Sequence, residues 1–386
     1  MNIRFITFIV VVSTIGQIAA EIYIPSMPSI AKDLDTSANL VQISMAVFLF
    51  GMAISGIFFG YLSDYFGRRK ILIVSSMISL FGTLLCAAAP SIYALILGRL
   101  IQGIGLSGVG SVGKAIIRDR ITGVELAKFS SNLAILTVIT IDISPFIGGI
   151  LQETMGWRPI FIVLLLYNIW AMYLSYRFKD DNFMELNKAL NLNRIFHTAF
   201  DVFKNRTFLK YNTMSALTYA VLMSYLAVAS FLFEEVIGIS PAKFGITTFL
   251  LTFVYMLGTF INGQLLKRYT MNKLINNGII LMWVAAIYSM LIATILPLTY
   301  ITMVIYIILI YIASSALFAN SSALAFTSIN KNIGIASALY NSIQVFIAAI
   351  FAVIISFFKA HSMIPLASIM ITICILMTIN IRTKNS

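Results

Sequence analysis

Apolar runs long enough to cross a lipid bilayer recur along the whole of this 386-residue chain, and no other feature limits its fold as severely. They fall at roughly 5–25, 40–62, 71–89, 92–117, 128–152 and 158–178. After a polar connection at 179–207, six more fall near 208–233, 242–266, 274–296, 299–325, 333–358 and 363–381. Hydrocarbon offers backbone N–H and C=O groups no partner, and a helix satisfies them within the segment itself. Composition agrees: 60% of residues are hydrophobic and 10% charged, against roughly 25% charged in soluble domains. The expected fold is therefore all-α integral membrane, with twelve transmembrane helices in two six-helix bundles. The bundles are expected at 1–178 and 208–386, joined by a linker at 179–207. Met1–Ala20 imitates a signal peptide, with Arg4 before an apolar run and Ala19-Ala20 at its end. With so many spans following, it reads as the first transmembrane helix.

Lysine and arginine set the orientation. Of the 26 in the chain, 21 fall in segments on the same side as the N-terminus. Lys32, Arg158, Lys243 and Lys359 fall on the other side, and Arg99 lies within a span. By the positive-inside rule both termini are cytoplasmic. The net charge of +12 is thus a topology signal, and no nucleic-acid partner is expected. The halves also repeat. Gly60-Tyr-Leu62-Ser-Asp-Tyr-Phe66-Gly-Arg-Arg-Lys70 aligns with Gly263-Gln-Leu265-Leu-Lys-Arg-Tyr269-Thr-Met-Asn-Lys273, sharing glycine, leucine, an aromatic and lysine. Two related bundles are a common architecture for secondary transporters.

The stretch Arg99–Arg120, RLIQGIGLSGVGSVGKAIIRDR, imitates a nucleotide site. Gly103, Gly105 and Gly108 spell G-x-G-x-x-G, and Gly108–Lys114 most of a P-loop. Both motifs require a preceding soluble strand and free N–H groups aimed at phosphate. Here the run is apolar, and Ala115 replaces the Ser/Thr that would hold Mg²⁺. The better reading is a membrane helix whose small residues at Gly103, Ser107 and Ser111 admit a neighbouring backbone. No nucleotide is expected, and hence no ATP drive. Cys86 and Cys374 lie in apolar runs, and His197 and His361 in polar connections without nearby ligand partners. No metal or other cofactor is expected.

Three strongly charged side chains fall well inside spans: Glu21, Arg99 and Asp142. At 1.5 Å rise per residue, all three reach the outer half of the membrane and can approach one another. An arginine in hydrocarbon costs at least about 2.5–3.5 kcal/mol on insertion scales, which marks it as a functional site by default. Glu21 is either a carboxyl that loads and releases a proton or an interfacial glutamate facing water. Arg99 either takes part in that exchange or forms a static structural pair. Asp142 is either a second proton or cation site or the partner of Arg99.

Several motifs carry a family resemblance. GYLSDYFGRRK (60–70) resembles the loop between helices two and three of the major facilitator superfamily, and RLIQGIG (99–105) its helix-four motif. SPFIGGIL (Ser144–Leu151) resembles the helix-five motif associated with antiporters. EIYIPSMP (Glu21–Pro28), KAIIRD (Lys114–Asp119) and GWRPIF (Gly156–Phe161) resemble the bicyclomycin/chloramphenicol-resistance branch, Bcr/CflA. The resemblance implies a proton-coupled drug efflux antiporter of a bacterial inner membrane, acting as a monomer on small amphipathic molecules. The alternative is a porter of the same fold for a specific metabolite or nutrient. Neither reading makes the chain an enzyme.

The resemblance also assigns residues. Glu21 stands where the family usually has Asp, Arg99 matches its membrane arginine, and Asp142 departs from the branch pattern. Gly60, Asp64, Gly67, Arg68, Arg69 and Asp119 correspond to a cytoplasmic gate, with Asp64 facing a helix N-terminus and Arg68 or Arg69 pairing with Asp119. Pro145, Gly148 and Gly149 permit a bend and close packing in span five. Tyr23, Asn168, Tyr219, Tyr225 and Asn320 are candidate groups of a substrate cavity.

Overall fold

A computed structural model of the chain describes residues 3–121, 123–178, 200–329 and 333–383. Twelve helical segments are long and apolar enough to span a membrane, and every element among the described residues is helical. Span one runs Ile3–Asp33, span two Ala38–Phe66 and span three Arg68–Ala87. Span four is Ile92–Arg120, span five the pair Gly123–Asp142 and Ser144–Met155, and span six Arg158–Arg177. Spans seven to twelve are Arg206–Val236, Pro241–Leu265, Met271–Thr294, Tyr300–Thr327, Ile333–Ser356 and Met363–Arg382. The expected linker lies outside the described residues over 179–199, as do Lys331 and His197.

Local chemistry explains where these helices begin. Ser37, Ser91, Asn205, Ser240, Thr270, Thr299 and Ser362 each cap a span by accepting a backbone N–H of its first turn. Such a cap contributes about 1 kcal/mol. Gly67, at φ 95°, joins spans two and three in a single-residue turn that a side chain would strain.

Spans one to six pack among themselves, as do seven to twelve, and the two groups meet along span two against eleven and span five against eight. Large apolar side chains such as Phe81, Leu97, Phe253, Phe260 and Ile280 are exposed around the perimeter, as lipid contact requires. The face carrying Ile3 and Thr383 is called the terminal face below, and the opposite one the far face. The glycine-rich stretch lies in the middle of one continuous helix. A Cβ on Gly103 would overlap the Phe48 carbonyl of span two, and one on Gly105 the backbone of Ser75 and Ser79 in span three. Ser107 Oγ donates to the Met52 carbonyl at 2.7 Å. Gly103 and Ser107 thus serve helix packing, as the small-residue reading expects.

Candidate functional site

Two of the three interior charges sit where a span breaks. Glu21 ends the helix Ile3–Glu21, and prolines 25 and 28 start the short turns that carry span one to Asp33. Asp142 ends Gly123–Asp142, and Pro145 lies in the first turn of Ser144–Met155. Proline lacks an N–H, so it starts a helix easily and interrupts one already running. Both acids face one cavity of about 520 Å³ between the two groups of spans. The opposite wall is aromatic, aliphatic and hydroxyl-bearing. Tyr219, Met223 and Tyr225 come from span seven, Thr252 and Tyr255 from span eight, Tyr311 and Phe318 from span ten, and Tyr340 and Gln344 from span eleven. Ser215 holds the last two in place, accepting from Tyr340 Oη at 2.6 Å and Gln344 Nε2 at 2.9 Å. Among the described residues, no basic side chain lines this cavity.

Arg99 is placed differently. It is fully buried, and its Nη1 donates to the Ala19 carbonyl at 2.9 Å and to Gln102 Oε1 at 2.7 Å. The guanidinium lies 4.2 Å from the Tyr23 ring centroid and 4.0 Å from that of Phe48. Neither acid is a partner, which corrects the expectation of an Arg99 pair with Glu21 or Asp142. Ala19 is in the last turn of its helix, where carbonyls lack intrahelical donors. The arginine caps the break of span one two residues before Glu21, with the charge spread over two aromatic faces. It reaches the site through the backbone.

Of the candidate cavity groups, Tyr219 and Tyr225 line this cavity. Tyr23, Asn168 and Asn320 do not, and each is used within its own bundle. Tyr23 stacks on Arg99, Asn168 Nδ2 donates to Ser79 Oγ, and Asn320 Nδ2 donates to Asn262 Oδ1 at 2.8 Å. The sequence reading missed Thr252, Tyr255, Tyr311, Tyr340 and Gln344. Their one signal was a hydroxyl or amide in the middle of an apolar run.

On the terminal face, Arg68 rather than Arg69 pairs with Asp119, its Nε donating to Oδ2 at 2.9 Å. Arg68 also pairs with Asp64 and donates to Ser63 Oγ, while Arg69 lies over the Tyr176 ring. All these residues belong to spans two, three, four and six, so the clasp fastens the first bundle to itself. Among the described residues, nothing lies within 4 Å of a Cβ on Gly60.

The far face is where the bundles are joined. Lys32 Nζ of span one lies 3.2 Å from Glu235 Oε1 of span seven, whose other oxygen meets His361. Glu153 Oε2 accepts from the Ala242 N–H in the first turn of span eight at 3.2 Å, where the helix dipole favours an anion. Here the antiporter-like glycines show their use. A Cβ on Gly149 would overlap the Pro241 carbonyl of span eight, and one on Gly245 of span eight the Pro145 carbonyl. Gly148 abuts the Ile22 carbonyl within the first bundle. Span eight packs on Ser144–Met155 and barely touches Gly123–Asp142, so this seam is closed at the far face and parts toward the terminal face.

Comparison with known proteins places this architecture. The family model described as the Major Facilitator Superfamily matches residues 8–353. An uncharacterized MFS-type transporter, YdgK of Bacillus subtilis, is 28% identical over 364 residues, covering 92% of this chain and 89% of its own. A bicyclomycin resistance protein homolog of Haemophilus influenzae is 23% identical over 94% of this chain and 91% of its own, in agreement with the branch suggested by the motifs. Among solved structures, the nucleoside transporter NupG superposes with a TM-score of 0.77 over 97% of this chain and 99% of its own, at 12% identity.

Proposed function

This chain belongs to the Major Facilitator Superfamily, a family of transporters and not of enzymes, and on that premise we propose that it is a proton-coupled antiporter exporting small amphipathic molecules by alternating access. One observation carries the reading: among the described residues, two carboxyls and no basic side chain line a cavity of about 520 Å³ whose remaining walls are largely aromatic and aliphatic. That volume suits a drug-sized ligand. Carboxylates facing such a cavity in the membrane interior are costly to leave charged and alone. A proton or the polar head of a substrate offsets the cost, and the two compete for the same oxygens. Competition at one site is the simplest basis for exchange: a proton arriving from one side displaces the substrate, and the substrate arriving from the other displaces the proton.

Alternating access supplies the sidedness. With 21 of 26 basic residues on the terminal side, the terminal face is cytoplasmic and the far face external. The closed far-face seam then corresponds to an inward-facing state that loads substrate from the cytoplasm or inner leaflet. Protonation of Glu21 or Asp142 changes the charge balance at two helix breaks, and so changes which bundle orientation is favoured. Arg99 acts as a positioning residue in this scheme, fixing the backbone from which Glu21 projects.

The test is transport by the purified chain in proteoliposomes, with a panel of structurally unrelated amphipaths and an imposed pH gradient. The proposal expects gradient-driven movement of several of them. Strict dependence on one metabolite, or movement down the proton gradient with the solute, would replace it with a specific porter of the same fold.

A further inference from the structure

Beside the large cavity lies a second, smaller one with a different lining. It measures about 90 Å³ and is walled by Ser13, Gln17, Ser107, Ser111, Asn341 and Ser342, with the exposed Lys114 toward the terminal face. This space accommodates several waters, and its lining offers them the polar partners they need. Ser13 Oγ is buried there without a protein partner.

The two cavities meet at one contact. Tyr219 lines the large cavity with Glu21, and its hydroxyl donates to Gln17 Oε1 of the small one at 3.4 Å. Ser13, Gln17 and Glu21 are spaced four residues apart on one helix, which puts them in a single stripe along span one. We propose that Tyr219 is a proton relay between Glu21 and the polar cavity of the terminal face, and that Gln17 positions its hydroxyl for that transfer. The proton leaves the Glu21 carboxyl for the Tyr219 oxygen by way of water in the large cavity that both line, while the O–H proton of Tyr219 leaves its hydrogen bond to Gln17 Oε1 for water in the small cavity. The reverse sequence reloads the carboxyl, and the tyrosine ends each transfer neutral. Protons and substrate then reach the same carboxyl by separate openings, so a bound amphipath does not block proton exit. This inference rests on Glu21 being the exchanging carboxyl of the proposed antiport.

Infrared spectroscopy after a rapid pH jump tests it without a substrate, on the full chain in lipid nanodiscs. The Glu21 carboxyl band is assigned by its loss in Glu21→Gln, with Asp142→Asn identifying the other acid. Tyr219→Phe keeps the ring that meets Phe318 edge-on, and Gln17→Met keeps the volume. A well-placed proton-transfer group speeds transfer by about 10²–10⁴-fold, so even with leakage through neighbouring water both variants slow the band at least about tenfold while preserving its amplitude. Tyr167→Phe, which removes a hydroxyl beside Thr14 of the same span but lines neither cavity, leaves the rate unchanged. Wild-type rates in both Tyr219→Phe and Gln17→Met would overturn the relay and leave the antiport standing. A Glu21 band that never titrates would instead sink the antiport reading on which it depends.

Discussion

Adding one methyl group at Gly149 ought to move the conformational balance of the whole molecule. Its Cβ would overlap the Pro241 carbonyl, which belongs to the other bundle. Backbone on both sides leaves no flexible side chain to yield, and overpacking of this kind costs about 1–3 kcal/mol. Parting of the bundles at the far face relieves that cost; neither bundle need unfold. The penalty therefore falls on the far-closed state alone, and the ratio of far-open to far-closed molecules rises by about 5- to 150-fold. A cysteine at Thr248, which lines the large cavity from span eight, reports the change through labelling by an impermeant maleimide added at the far face. Both native cysteines are buried, so background is low. Gly149→Ala should raise the labelling rate by that factor with a nearly unchanged melting temperature, and Gly245→Ala, its counterpart across the seam, should do the same. Gly148→Ala is the contrast: its clash with Ile22 lies inside one bundle, where no rigid-body motion relieves it, so it lowers thermal stability. Wild-type labelling in both Gly149→Ala and Gly245→Ala would refute the claim that this seam is what closes the far side.

Other consequences follow from the same geometry. Lys204→Cys should be labelled only from the cytoplasm and Lys359→Cys only from outside; the reverse pattern would invert the proposed orientation. Arg99→Lys keeps the charge but loses the planar group held between two rings, and is expected to lower stability by about 2 kcal/mol or more in thermal melts in detergent. An unchanged melt would mean that the cap on Ala19 carries no weight. Asp64→Asn and Asp119→Asn each remove one partner of Arg68 at a partly exposed site, where such pairs contribute about 1 kcal/mol or less. Because the clasp lies inside one bundle, both variants should fold, insert and transport at near wild-type rates in proteoliposomes; a large loss of transport in either would mean that the clasp gates movement between the bundles.

How far the sequence carried this picture depends on the kind of signal. The spans were legible because hydrocarbon enforces a minimum apolar length whatever the packing. Glu21 and Asp142 stood out as candidates because a carboxyl in an apolar run is expensive, and the prolines that follow them mark the breaks at which the structure places them. What each charge touches was not legible. Arg99 was expected to find a carboxylate, but a helix break offered it a carbonyl and two ring faces, which the chain pattern does not reveal. Asn168 and Asn320 were misplaced for a related reason, since a buried amide seeks the nearest partner and theirs lie within their own bundles. Tyr255, Tyr311 and Tyr340 are three of 17 tyrosines and resemble the lipid-facing ones until the second bundle is assembled around the first. The stripe Ser13–Gln17–Glu21 was written in the sequence at four-residue spacing, yet only the two cavities on either side of Tyr219 give it meaning.

The central claim is that a carboxyl in the shared cavity exchanges a proton for substrate, and Glu21→Gln tests it most directly. Glutamine keeps the shape and hydrogen bonding of a protonated glutamate but cannot release the proton. Reconstituted beside wild type, with an amphipath that wild type moves, the variant is measured in two modes: uphill transport driven by an imposed pH gradient, and substrate exchange with no gradient. Glu21→Gln should lose the first and retain the second. Full gradient-driven transport by Glu21→Gln contradicts the role given to this residue, and the same result in the double variant with Asp142→Asn contradicts the claim for the cavity as a whole.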